Sequence, residues 1–163
     1  MTLPEFRVTD PQRWTHRAMG FVTRAHRHLW GKNNEDPLAF LYLEGLSLDF
    51  VREMHLGWNK FGQDRPLEGW GLESPNQSSF HLPPGIVLPH IENKTLTAVL
   101  IIPMEAGTPW WLPGSHPPPL DLGTVSDASP VFHHPLDGLR AFQREDIPGV
   151  RIQFNGPRPA DAP

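Results

Sequence analysis

The chain has 163 residues, of which 38% are hydrophobic, with 6 Trp and 9 Phe: enough apolar material for a packed core and too much for a disordered polymer. It has no cysteine, which excludes disulfides, thiolate metal sites and cysteine nucleophiles. Its formal charge is −4, against the basic balance usual in a domain that grips nucleic acid by itself.

The charge is unevenly spread. Residues 1–32 carry six basic side chains (Arg7, Arg13, Arg17, Arg24, Arg27 and Lys32) against Glu5 and Asp10, whereas the rest carries 8 basic against 16 acidic. Asp10-Pro11 reads as an N-cap followed by proline at the first helical position. The spacing predicts a helix to about Trp30, with Trp14, Ala18, Phe21, Val22, Ala25 and Leu29 on its inner side. Arg13, Arg17, Arg24 and Arg27 fall on the opposite side, and no Asp or Glu occurs between positions 11 and 34. Unpaired like charges on one face repel each other, a cost that an anionic partner relieves. The bland alternative is an ordinary solvated face.

Asp36-Pro37 repeats the cap-and-proline signal and predicts a short helix through Tyr42 or Glu44; Ser47 then caps a third, with Phe50, Val51 and Met54 inward and Gly57 as its stop. Residues 59–84, with mixed polarity and four prolines, read as a long loop with one short strand near Gly69–Leu72. Gly85 to Pro89 and Leu96 to Pro103 read as a hairpin turning at Asn93-Lys94. Trp110-Trp111-Leu112 starts another strand, and 116–130 is loop by composition. A short helix is expected within Pro135 to Asp146 and a final strand over Val150–Phe154. The expected organisation is one domain, 1–155, with a flexible tail, 156–163. No secretion signal or 18-residue apolar run is present, so the expectation is a cytoplasmic protein without a membrane role.

Few residues carry recognisable chemistry. No Asp-x-Asp pair, phosphate-cradling Gly-x-x-x-x-Gly-Lys loop or His-Glu-x-x-His occurs, so the expectation is no catalytic residue, no metal and no cofactor. His133 and His134 are adjacent, and adjacent ligands in a strand point to opposite faces; His90 with Glu92 binds Zn²⁺ only if the fold brings one of the later histidines to them. Ser115 lacks the Gly-x-Ser-x-Gly elbow of a nucleophile. Trp58, Trp70, Trp110 and Trp111 could stack on bases, but most are expected to be core; Trp110 and Trp111 are consecutive and, if extended, point apart, so one of them is expected to offer a surface platform.

The order of pieces is the more specific signal. It runs from Trp14 with Phe21-Val22 and Leu29-Trp30, through Ala39 to Leu43 and Gly45-Leu46-Ser47, to Phe50-Val51 and Leu56-Gly57-Trp58-Asn59. Gly85-Ile86-Val87-Leu88-Pro89, a hairpin and Leu112-Pro113-Gly114-Ser115 follow. This succession, over residues 14–115, resembles the segment of bacterial and phage DNA primases between the zinc-binding and toprim domains. The resemblance implies an α/β (α+β) fold, N-terminal helices followed by a small mixed or antiparallel sheet. It also implies a non-catalytic, toprim-less unit of DNA replication, of phage or mobile-element type. Such a unit binds single-stranded DNA or RNA weakly or docks on a replication protein such as a helicase or a separate toprim subunit. It is expected to make no primer alone, since the family's metal-binding acids belong to toprim. The alternative is an interaction domain with no nucleic-acid role. Family members commonly carry Arg beside the Gly-Leu-Ser element, where this chain has Glu44, and basic residues near Ile101 to Glu105, where it has none. The residues left to contact nucleic acid are Arg13, Arg17, Arg24, Arg27, Lys32, Trp110 and Trp111.

Overall fold

The computed structural model describes residues 6–105, 107–116, 119–144 and 147–154. After a two-residue strand β1 (Arg7–Val8), helix α1 (Pro11–Leu29) starts where the sequence predicts, with Asp10 accepting a hydrogen bond from the Arg13 amide. Its buried residues are the six expected, Trp14 through Leu29. Helix α2 (Glu35–Leu43) begins one residue before Asp36: Asn34, rather than Asp36, is its cap position, and Asn34 donates instead to the Leu29 carbonyl, 2.7 Å. Helix α3 (Leu48–Glu53) is capped by Ser47 as expected. Its stop is His55, at φ 57°, not Gly57.

Gly57 has a different task. It opens strand β2 (Gly57–Asn59), and a Cβ there would stand 2.7 Å from the Ala25 backbone carbon. The glycine lets β2 lie directly against α1.

The segment read as loop is largely paired. Strand β3 (Gln63–Pro66) runs antiparallel to β5 (Ser79–Leu82), and β4 (Leu72–Glu73) pairs with β1. The expected strand at Gly69–Leu72 is instead a 3-10 turn, Glu68–Trp70, running into β4. These strands are too short and too interrupted by Pro and Gly to show a clear period; their partners define them.

The centre is an antiparallel sheet in the order β2-β6-β7-β8, with β6 (Gly85–Glu92), β7 (Thr95–Ile102) and β8 (Trp110–Trp111). The β6–β7 turn places Asn93 and Lys94 at φ 52° and 65°, the conformation a tight hairpin needs. Pro89 does not end its strand, because β2 pairs β6 only as far as Val87 and leaves that edge free of the ladder that proline breaks. Alternation splits the apolar runs of β6 and β7 between two cores. Val87, Val99 and Ile101 pack with α1, Leu67, Trp70 and Phe80. Ile86, Leu88, Leu100 and Ile102 pack with Leu41, Phe50 and Val51 of the α2–α3 corner and with a second sheet.

That second sheet, β10-β11-β9, holds β9 (Leu120–Gly123), β10 (Val131–Phe132) and β11 (Gly149–Ile152), with α4 (Pro135–Gln143) packed on it. β9 lies inside the Pro-rich stretch expected to be loop. The outcome is an α+β fold, N-terminal helices followed by mixed and antiparallel sheet. Among the described residues no helix is long and apolar enough to cross a membrane. The tail expected from 156 lies outside the described residues.

Across β9 and β11, Arg151 stands opposite Asp121 and donates from Nε and Nη2 to its two carboxylate oxygens at 2.8 and 3.1 Å. This hydrogen bonding holds the Asp121 carboxyl below its ordinary value of 3.8, against a smaller upward push from burial. A depressed carboxylate stabilises the fold above its unfolded pKa, and that contribution is lost as pH falls through the lowered folded value. Asp121→Asn is therefore expected to melt a few degrees below the parent at pH 7, with a gap that starts to narrow only as pH falls below the ordinary value of 3.8. Thermal melts of both proteins from pH 7 to 3 check this; a constant gap would refute it.

Candidate nucleic-acid interface

α1 turns Trp14, Phe21 and Val22 to the sheet, so the same 100° step sends Arg13, Arg17, Arg24 and Arg27 outward, where all four are exposed. They do not stand on a free ridge. β3 lies alongside, and its half-buried alternate residues, Gln63 and Arg65, share concave surfaces with α1. A cavity of about 610 Å³ is lined by His16, Arg17, Arg24, Arg65 and Trp70, among others. A neck of about 30 Å³ passes Arg24, His28, Asn59 and Arg65. It leads to a second cavity of about 260 Å³ walled by Arg27, Lys32, Trp58, Lys60 and Phe61. Adjacent compartments share lining residues, Arg24 and Arg65 at one junction, His28, Trp58 and Asn59 at the other, so they form one groove.

None of the residues lining these three compartments is Asp or Glu, whereas a neighbouring cavity that shares Arg65 and Pro66 with the first is lined by Asp64, Glu68 and Glu73. Among the described residues Arg17, Arg24, Arg27, Lys32 and Lys60 make no ion pair. Arg65 hydrogen-bonds the side chain of Gln63. Arg13 differs from the other arginines: it lies 3.7 Å from Asp10 and donates to the Glu68 carbonyl, tying α1 to the 3-10 turn rather than facing the groove. From Arg17 to Arg27 the helix advances about 15 Å at 1.5 Å per residue.

The tryptophan pair is separated from this surface. β8 and β2 are opposite edges of the central sheet, and the groove runs beside β2. Trp110 is half-buried, whereas Trp111 is 1% exposed and its indole donates to the Phe154 carbonyl at 3.0 Å. Trp111 is thus a core residue with no face left for a base, which corrects the reading of it as a stacking surface. Arg65, Lys60 and Phe61 were missed because they lie in the segment read as loop. Gln63, Asp64 and Arg65 pair with Leu82, His81 and Phe80, but their alternation spans too few residues to be read before the partner is known.

The other candidate residues have structural partners. Ser115 is buried, and its hydroxyl accepts from the Val99 amide at 3.0 Å. His90 bridges Thr97 and the Asp121 carbonyl, and His134 caps α4. Among the described residues no group of three His, Cys, Asp or Glu side chains is placed to hold a metal ion.

No family model matches the chain, and no curated protein matches it. Among solved structures, one of the DnaG catalytic core superposes with a TM-score of 0.62 at 14% identity, over 89% of this chain and 54% of that one. The likeness is one of fold, and this chain spans about half the length of the core it matches. The protein therefore has an α+β fold related to that of the DnaG primase catalytic core.

Proposed function

We propose that the protein is a non-catalytic primase-like unit that binds single-stranded nucleic acid along the groove between α1 and β3. The observation that carries this is a run of compartments along α1 lined by Arg17, Arg24 and Arg27, which make no ion pair among the described residues, and by no acid, on a chain whose net charge is −4. Chance would mix the signs, and holding three arginines together without a counter-charge costs free energy that phosphates recover. A concave groove with aromatic walls suits a single strand; a duplex is read by elements that protrude into it. Titration of a labelled single strand tests the reading. Binding is expected at about 50 mM salt and a steep loss at about 200 mM, as counterion release requires. Absence of binding at the lower salt by folded protein would overturn it.

A second reading, docking on a replication protein, is favoured by one surface. Tyr42, Leu43 and Leu48 at the α2–α3 corner are 74%, 82% and 47% exposed. A corner this apolar fits a protein partner, and the occupant proposed is a separate toprim-bearing chain, the kind of partner that the primase resemblance implies. Co-elution with such a purified chain, lost on Leu43→Glu, is the expected result. Co-elution unaffected by that change would exclude this surface.

A further inference from the structure

We infer that the 260 Å³ cavity at the C-terminal end of α1 is a base-binding subsite that takes one unstacked nucleobase of the bound strand. The inference rests on the nucleic-acid reading of the groove and goes beyond charge, because the two ends of the groove differ in chemistry. The larger cavity offers arginines and the covered edge of Trp70, 3% exposed: a surface for phosphates. The smaller one adds aromatic faces and amides.

Phe61 is 66% exposed in the loop between β2 and β3, a large apolar ring held in water. Trp58 forms the inner wall, anchored in the core. The Lys60 ammonium lies 5.6 Å from the Trp58 ring centre and 5.3 Å from that of Phe61; Trp58 is buried, so the exposed Phe61 ring is the one that offers a face on which a flat base would stack. Asn59 is 4% exposed and fixed by donating to the Pro83 carbonyl at 2.7 Å. Its amide oxygen has no hydrogen bond among the described residues, and Asn59 is among the residues that line the cavity, where a base edge would offer N–H donors. Arg27 and Lys32 stand at the rim for the flanking phosphates. Aromatic faces, a rigid amide and rim cations without a carboxylate are the set that recognises a nucleotide within a strand. An acidic peptide would satisfy the cations and leave the rings and the amide unused.

The experiment compares an intact oligothymidylate with an abasic strand of the same length and charge, by fluorescence polarisation at low salt. The expected result is about tenfold tighter binding of the intact strand, the factor that stacking of one base supplies. Phe61→Ala should remove that preference while leaving the abasic strand's affinity unchanged, and Phe61→Tyr should retain it. Equal binding of both strands by the parent protein, or an equal loss for both in Phe61→Ala, would overturn the subsite and leave the cationic groove standing. Failure to bind either strand would overturn the groove itself, and the subsite with it.

Discussion

Replacing Arg17, Arg24 and Arg27 together with Glu is expected to weaken binding of a single strand at low salt by at least about 100-fold. Each arginine offers charge-assisted hydrogen bonds to phosphate, typically about 1.5–3 kcal/mol apiece, and each glutamate adds repulsion. Three such losses exceed the roughly 2.8 kcal/mol that a hundredfold change requires. The salt dependence gives a second readout. A single strand loses about 0.7 of a counterion per neutralised phosphate, so the slope of log K against log salt should fall by about 2.

The fold should tolerate the change. All three side chains are exposed, and among the described residues none makes an ion pair that the substitution would break. Lys94→Glu, at the hairpin tip on the other side of the central sheet's turn, alters charge without touching the groove and should leave affinity within about twofold. An unchanged affinity in the triple variant, with an unchanged melting curve, would remove α1 from the interface.

What the sequence disclosed about this groove was one wall of it. α1 was legible to within a residue or so because an Asp-Pro start and six apolar positions at helical spacing are local signals. The β6–β7 hairpin was legible for the same reason, its turn lying between two apolar runs. The opposite wall was not. Gln63 and Arg65 occupy a four-residue strand whose partner, β5, lies beyond a 3-10 turn and another short strand. β9 was hidden likewise: Leu120 to Gly123 alternates correctly, but prolines surround it and its partner β11 is about thirty residues away. Composition reports how often a segment turns; it does not report which short strands find each other afterwards.

The ordered motifs behind the primase resemblance proved more informative about structure than about ligand contacts. Gly57 permits the approach of β2 to Ala25. Ser47 caps α3, and its amide donates a hydrogen bond to the Gln143 side-chain oxygen of α4. These are joints between elements rather than contacts to a ligand.

The strongest of these joints gives the largest expected loss of stability. Gly114→Ala is expected to destabilise the protein by about 3–5 kcal/mol, a melting-temperature fall of roughly 10 °C. Gly114 has φ +92°, in the region that an L side chain enters only with strain. A Cβ there would stand 2.5 Å from Cδ1 and 2.9 Å from Cε2 of Trp14, which is 4% exposed and cannot swing into solvent without opening the core. The same indole donates to the Pro113 carbonyl at 2.7 Å, so displacing it also strands a buried donor. Gly20→Ala supplies the contrast. Gly20 is in the middle of α1, its added Cβ meets nothing nearer than the Arg24 guanidinium at 3.8 Å, and alanine's helix propensity should raise stability by about 1 kcal/mol. Two alanines at two glycines should thus shift the melt in opposite directions. If Gly114→Ala melted within about 2 °C of the parent, Trp14 would not be the clamp that seats α1 on the sheet, and the spacing of Arg17 from Arg65 across the groove would need another cause.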